Sequence, residues 1–100
     1  MSAGAEVNTQ RADGVSALSF AVRENETDVV EILLKYGADT NRRDNGGYTP
    51  LYIAARDGRT KVIDQLLDRG ADVDAFINNG YSPVCIAAQQ GHKDAVQTLI

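Results

Sequence analysis

Residues 47–58 read Gly47-Tyr48-Thr49-Pro50-Leu51-Tyr52-Ile53-Ala54-Ala55-Arg56-Asp57-Gly58, and the fold follows from how each residue type behaves. The Thr49 hydroxyl is suited to cap a free backbone N–H, and a proline at the first helical position sacrifices no hydrogen bond. Leu51, Ala54 and Ala55 fall at i, i+3 and i+4, one face of a short helix, and alanines there let a second helix approach closely. Gly58 ends this helix, where a left-handed residue is commonly required. A second helix is predicted from about Thr60 to Arg69, with Val62, Ile63, Leu66 and Leu67 inward and Gly70 closing it.

The same pattern recurs on both sides. Gly14, Gly47 and Gly80 stand 33 residues apart, and the step links Leu18, Leu51 and Val84, then Ala21, Ala54 and Ala87. It continues through Asn25, Gly58 and Gly91, through Val30, Ile63 and Val96, through Leu33, Leu66 and Leu99, and through Leu34, Leu67 and Ile100. A second glycine series, Gly4, Gly37 and Gly70, is followed each time by alanine. Asparagine tolerates the left-handed region next best after glycine, so Asn25 in the Gly58 column predicts a positive φ there. Between the helix pairs, Asp39-Thr40-Asn41-Arg42-Arg43-Asp44-Asn45-Gly46-Gly47 is rich in Asx and glycine and predicts a hairpin-like turn. Each unit is turn, helix, short turn, helix. So short a helix pair cannot bury its apolar faces alone, and copies must stack.

The 100 residues are 43% hydrophobic and 24% charged, with fourteen acids against ten bases and a net charge of −4. This acidity is unsuited to holding nucleic-acid phosphates or anionic lipid. No run is apolar enough to span a bilayer, and Met1-Ser2-Ala3-Gly4-Ala5-Glu6 lacks the basic and apolar regions of a signal peptide. Cys85, the only cysteine, has no disulfide partner in the chain. A reducing, intracellular setting, cytoplasmic or nuclear, is expected.

The segment 47–58 resembles the ankyrin-repeat signature, as does Leu66-Leu67-Asp68-Arg69-Gly70-Ala71-Asp72-Val73-Asp74. Gly80-Tyr81-Ser82-Pro83-Val84, with Ala87-Ala88 and Gly91-His92, repeats it, and Gly14-Val15-Ser16-Ala17-Leu18 is a divergent copy without the proline. The resemblance covers essentially the whole chain. It implies an all-α solenoid of stacked helix-turn-helix units with projecting β-hairpin-like turns. The expected divisions are the tail of a preceding repeat over 1–10, a divergent repeat over 11–43, a second over 44–76 and an incomplete third over 77–100. Ser19, Tyr52 and Cys85 stand where the family carries a histidine, which puts in doubt the hydrogen bonds that histidine makes between repeats. Asn8 and Asn41 occupy a column hydroxylated in some ankyrin repeats, and Asp74 replaces it in the next unit. Leu99 and Ile100 are apolar where a terminal repeat needs a polar outer face, so a segment of a longer array is expected.

Catalysis finds no support. His92, the single histidine, has no nucleophile or metal cluster in the pattern and sits at the family's Gly-His turn into the second helix, a structural place. Cys85 lies near a helix start and reads as a small packed or partly exposed residue. Asp39, Asp44, Asp57, Asp68, Asp72 and Asp74 are spread by repeat position and read as solvated surface charge. Gly46-Gly47 is followed by no Gly-Lys-Ser/Thr and is no phosphate loop. No cofactor or metal is expected.

The resemblance implies a protein or peptide ligand held by the turn tips and the concave first-helix face. By column these positions are Ala12, Asp13, Val15, Arg23 and Glu24; then Asn45, Gly46, Tyr48, Arg56 and Asp57; then Asn78, Asn79, Tyr81, Gln89 and Gln90. Arg42, Arg43, Phe76 and Ile77 lie near the tips. Tyr48 and Tyr81 share a column and are expected side by side, and Phe76-Ile77 form an apolar pair where the preceding turn has Arg43-Asp44. Tyrosine and arginine are typical interface anchors, and exposed apolar residues suggest a partner. Phe76 folding back onto the neighbouring turn is the alternative. The functional expectation is a non-catalytic interaction scaffold, with neighbouring repeats or domains in a longer chain. Two rivals are a regulatory or targeting arm of a larger enzyme or channel, and a purely structural spacer.

Overall fold

Three side-chain oxygens start the three first helices. Ser16 Oγ accepts the Ser19 N–H at 3.2 Å, Thr49 Oγ1 the Tyr52 N–H at 3.1 Å, and Ser82 Oγ the Cys85 N–H at 3.4 Å. Pro50 and Pro83 fill the first helical position behind two of these caps. In the computed structural model, which describes residues 3–100, the helices are α1 (Ala17–Arg23), α2 (Thr27–Lys35), α3 (Pro50–Arg56), α4 (Thr60–Asp68), α5 (Pro83–Gln89) and α6 (Lys93–Leu99). Met1 and Ser2, at the start of the tail expected over 1–10, lie outside the described residues.

Each helix of the first two pairs ends in the same device. Asn25 and Gly58 take φ of +56° and +70°, and the N–H two residues past the cap reaches back to a helix carbonyl: Glu26 to Ala21 and Arg59 to Ala54, both at 2.9 Å. Asn25 therefore behaves as its column predicts. The Gly-Ala pairs do the same for the second helices, with Ala38 N–H on Leu33 O at 3.0 Å and Ala71 N–H on Leu66 O at 3.1 Å. That bond carries the alanine back over the helix it terminates, and Ala38 is buried. The α4 helix stops at Asp68, with Arg69 as the cap residue, one position before the expected end.

The expected hairpin-like turns are narrow loops closed at the root, not strands. Arg11, Asp44 and Ile77 donate their N–H groups to the carbonyls of Val15, Tyr48 and Tyr81 at 2.9, 3.1 and 2.9 Å. Among the described residues the one β-bridge joins Gln10 and Ser16.

Helices α1, α3 and α5 pack in one row and α2, α4 and α6 in a second, each pair also packing across the rows. A single apolar cluster runs through the stack from Leu18 and Val30 through Leu51, Ile63 and Leu66 to Ile86 and Leu99. Ala21, Ala54 and Ala87 are all buried where the rows meet, the close approach their size permits. One expectation is corrected here. Leu99 is buried, because it follows Leu33 and Leu66 in facing back toward the preceding unit; Ile100 alone of the pair is open, at 89% exposure. Leu67 is half-buried and packs against the core, inward as expected.

Polar side chains tie unit to unit. Asn8 Oδ1 accepts the Asp39 N–H at 2.7 Å while its Nδ2 donates to Gly37 O at 3.4 Å; Asn41 repeats both contacts one step on, with Asp72 at 2.8 Å and Gly70 at 3.3 Å. Gln10 donates to its own Gly14 carbonyl at 2.6 Å and to Arg43 O at 3.0 Å. Arg43, in the same column, donates to Gly47 O at 2.8 Å and Phe76 O at 3.0 Å. On the helical side Gln65 donates to Thr27 O at 3.0 Å and Arg69 to Leu34 O at 3.1 Å. His92 Nε2 lies 2.8 Å from the Arg56 carbonyl, an acceptor only, so this nitrogen carries the proton. These bonds join neighbouring units although the family's histidine column holds Ser19, Tyr52 and Cys85.

The His92 ring sits where a side chain on Gly58 would be: a Cβ there would lie 2.7 Å from Nδ1, whereas one on Gly70 would meet open space. Both glycines have positive φ, so Gly→Ala at either position carries a backbone cost of roughly 1 kcal/mol. Gly58→Ala is expected to destabilise by at least about 1 kcal/mol more than Gly70→Ala. Urea midpoints measure the difference, and equal shifts would show that the imidazole yields freely. Asn41→Ala is expected to cost about 1–2 kcal/mol. Hydrogen exchange should show the Asp72 amide losing protection while Asp39, held by Asn8, keeps its own.

Candidate partner-binding surface

The first-helix row and the turn roots present one edge of the stack. Tyr48 lies half-buried with its ring centroid 5.3 Å from that of Tyr52, tilted by 41°. Asp44 Oδ1 holds the backbone beneath it, accepting the N–H of Gly46 at 2.9 Å and of Tyr48 at 3.0 Å. Burial raises the Tyr52 hydroxyl above the ordinary tyrosine range, and the neighbouring Tyr48 and Tyr81 raise it further. Tyr48 and Tyr52 thus form an aromatic pair, and Tyr81, in the Tyr48 column one unit on, is also half-buried. Tyr52 is the member that column reasoning passed over. Tyr48 precedes the Thr49 cap and lies outside α3, so helical spacing does not signal the pair.

Arg56 stands at the end of the shelf. Its Nε donates to Asp57 Oδ1 at 3.1 Å, and this bond raises its pKa above the usual guanidinium value. Arg23, one unit earlier, is exposed and lies 3.9 Å from Asp44 Oδ2, so it leans from α1 toward the next tip. Glu24, Gln89 and Gln90 are exposed beside the helix ends, and Asp57 is half-buried in its pair with Arg56.

The tips are tied down at their bases. Asn45 is exposed, yet its Nδ2 donates to Ala12 O at 2.7 Å and its N–H to Asp13 O at 3.0 Å. Arg11 pulls the exposed Asp13 carboxyl down to about 2 through their hydrogen bond. Ala12, Gly46, Asn78 and Asn79 are exposed, as expected. Arg42 is half-buried between Asp39 Oδ2 and Gln10 Oε1, each at 3.4 Å, so it belongs to the scaffold between tips. Arg43 is exposed, with one guanidinium nitrogen bonded to both Gly47 O and Phe76 O.

Phe76 is 61% exposed, so its ring does not fold back onto the neighbouring turn. Its expected companion does not join it: Ile77 is only 8% exposed and belongs to the core. The chain is extended here, and side chains alternate between faces, so Ala75 and Ile77 turn inward and Phe76 outward. That alternation was legible in the residues. Val15 is corrected for a related reason: it is buried, whereas Tyr48 and Tyr81 in its column are long enough to reach the surface.

Cys85 is exposed near the start of α5, and its contacts with Ser82 lower its pKa. Among the described residues no group of three or more histidine, cysteine or acidic side chains is placed to hold a metal, and no helix is long and apolar enough to cross a membrane.

A family model described as ankyrin repeats, three copies, matches residues 1–77. No curated protein matches the chain in a sequence comparison. Residues 78–100 lie beyond the family match, but α5 and α6 repeat the hydroxyl cap, the proline and the left-handed glycine of the units before them. Ankyrin repeats are generally protein–protein interaction modules and typically non-catalytic. The caps, the Gly-Ala helix ends, the stacked pairs and the family match agree, and the chain belongs to the ankyrin-repeat family.

Proposed function

We propose that this chain is a non-catalytic protein-binding scaffold whose partner meets Tyr48 and Tyr81, with the buried Tyr52 beneath, together with Arg56 and the exposed ring of Phe76. The observation that carries this reading is the Arg43 guanidinium, which reaches Gly47 O at 2.8 Å and Phe76 O at 3.0 Å. One side chain thereby holds Phe76 beside the backbone leading into Tyr48. A partner ordering little of this surface on binding loses little entropy, and aromatic and arginine side chains supply the contact energy.

Arg23, Glu24, Asn45, Asp57, Asn78, Gln89 and Gln90 form the polar surround of these anchors, and Arg42 and Arg43 act chiefly by setting the tips. Ile77 supports the surface from beneath, since its side chain is buried. A net charge of −4 suits a protein or peptide better than a nucleic acid. The same surface serves an array standing alone or one forming the regulatory arm of a larger enzyme or channel.

A photo-crosslinking amino acid at Phe76 or Tyr81, compared with one at the exposed Lys61 or Asp68 of α4, tests the assignment in cells. Adducts to a common protein are expected from the first pair and not from the second. For the protein so captured, Tyr48→Ala is expected to weaken binding about tenfold or more without changing the circular dichroism of the free chain. Equal capture from α4, or unchanged affinity, would place the partner elsewhere.

A further inference from the structure

The chain holds two asparagine–glycine pairs, Asn45-Gly46 and Asn79-Gly80, both on exposed turn tips. In such a pair the glycine nitrogen reaches the asparagine side-chain carbon with no Cβ of its own residue in the way. The two pairs stand one column apart, and the stack holds them differently. Asn45 is anchored to the preceding unit, its Nδ2 donating to Ala12 O at 2.7 Å and its N–H to Asp13 O at 3.0 Å. The Gly46 N–H donates to the Asp44 carboxylate at 2.9 Å, and that negative charge opposes loss of the amide proton. Attack on the Asn45 side chain requires the release of both bonds.

Asn79 has no such anchor. Its Oδ1 accepts the Tyr81 N–H at 3.1 Å, which folds the side chain back over the Gly80 backbone, and among the described residues nothing accepts a hydrogen bond from its Nδ2. The Gly80 N–H rests on a neutral carbonyl, Ile77 O, at 2.9 Å. Exposure here is a property of the column: Asp13 and Gly46, which share it with Asn79, stay exposed although a unit follows each of them. Asp13 also makes the same turn, its Oδ1 accepting the Val15 N–H at 3.1 Å, so the column accommodates a carboxylate.

We propose that Asn79 is a site of spontaneous conversion to aspartate and isoaspartate, with Gly80 N as nucleophile and the Tyr81 N–H as oxyanion donor. The Gly80 nitrogen gives its proton to solvent hydroxide and bonds to Asn79 Cγ. The electron pair displaced from the side-chain carbonyl collects on Oδ1, to which the Tyr81 N–H already points. The intermediate expels Nδ2, which takes a proton from water and leaves as ammonia, and a succinimide remains. Water then opens the ring. Cleavage of the bond to Cγ gives aspartate, and cleavage of the bond to the Asn79 backbone carbonyl gives isoaspartate, which lengthens the tip backbone by one carbon. The sum is one water consumed and one ammonia released, with no change of oxidation state. Either product adds a negative charge beside Tyr81 to a chain of net −4. The chemistry is independent of what the chain binds.

Incubation of the whole folded chain at mildly alkaline pH, with peptide mapping by mass spectrometry over time, tests this. Conversion at Asn79 is expected to run at least about tenfold faster than at Asn45, the factor set by releasing one further hydrogen bond. Both aspartate and isoaspartate peptides are expected from the Asn79 position. In guanidinium chloride, where the tips are lost, the two rates are expected to converge, because the pairs then differ only in their flanking residues. Asn79→Gln is expected to remove the fast phase of ammonia release and leave the rate at Asn45 unchanged. An Asn79 that survives intact in the folded chain, conversion at Asn45 as fast or faster, or a rate ratio that persists in denaturant would each overturn the proposal.

Discussion

The structure depends on one constraint: helices of seven and nine residues cannot seal their own apolar faces. Isolated helices this short are marginal in water, so their order comes from what packs on them. In this chain the covering surface is always the adjacent unit. Ile53 is buried because α1 lies in front of it, and Phe20 in the same column is open because no helix among the described residues does. Stability is then close to a sum of neighbour contacts. Small residues are needed wherever backbones meet closely, as at Ala54 between the helix rows and at Gly58 beneath the His92 ring of the next unit.

Polar ties complete what apolar stacking begins. Apolar contact alone would let neighbouring turns slide past one another, since it has little directionality. Asn8 and Asn41 each make an acceptor bond and a donor bond to the following unit, and Gln10 and Arg43 each bridge their own tip to the next. The consequence reaches the surface. Tyr48 stands on a turn braced by Asp44, and Phe76 begins a turn whose carbonyl Arg43 already holds. The variable residues are displayed on a backbone whose positions are settled before any partner arrives.

Much of this was legible in the residues because it is local. The Thr49-Pro50 start, the Asn25 and Gly58 turns and the Gly-Ala ends each rest on hydrogen bonds within a few residues, which sequence spacing encodes directly. Exposure was less legible. Leu99, apolar near the end of the last helix, packs back on the unit before it, and the open Phe20 stands in a column that is apolar throughout, so residue type does not mark it. Ile77 parts from Phe76 because an extended chain sends adjacent side chains to opposite faces.

The sequence by itself determined the unit, its period, its helix ends and the family, since all of these are repeated local rules. Only the tertiary structure decided which side chains bond unit to unit, that Arg42 braces while Arg43 bridges, and which apolar columns are left open. The physical reason is that each of these depends on atoms about one repeat away in the chain, brought within bonding distance by stacking. A side chain is buried or free according to the neighbour it meets, and that neighbour is a property of the stack rather than of the unit.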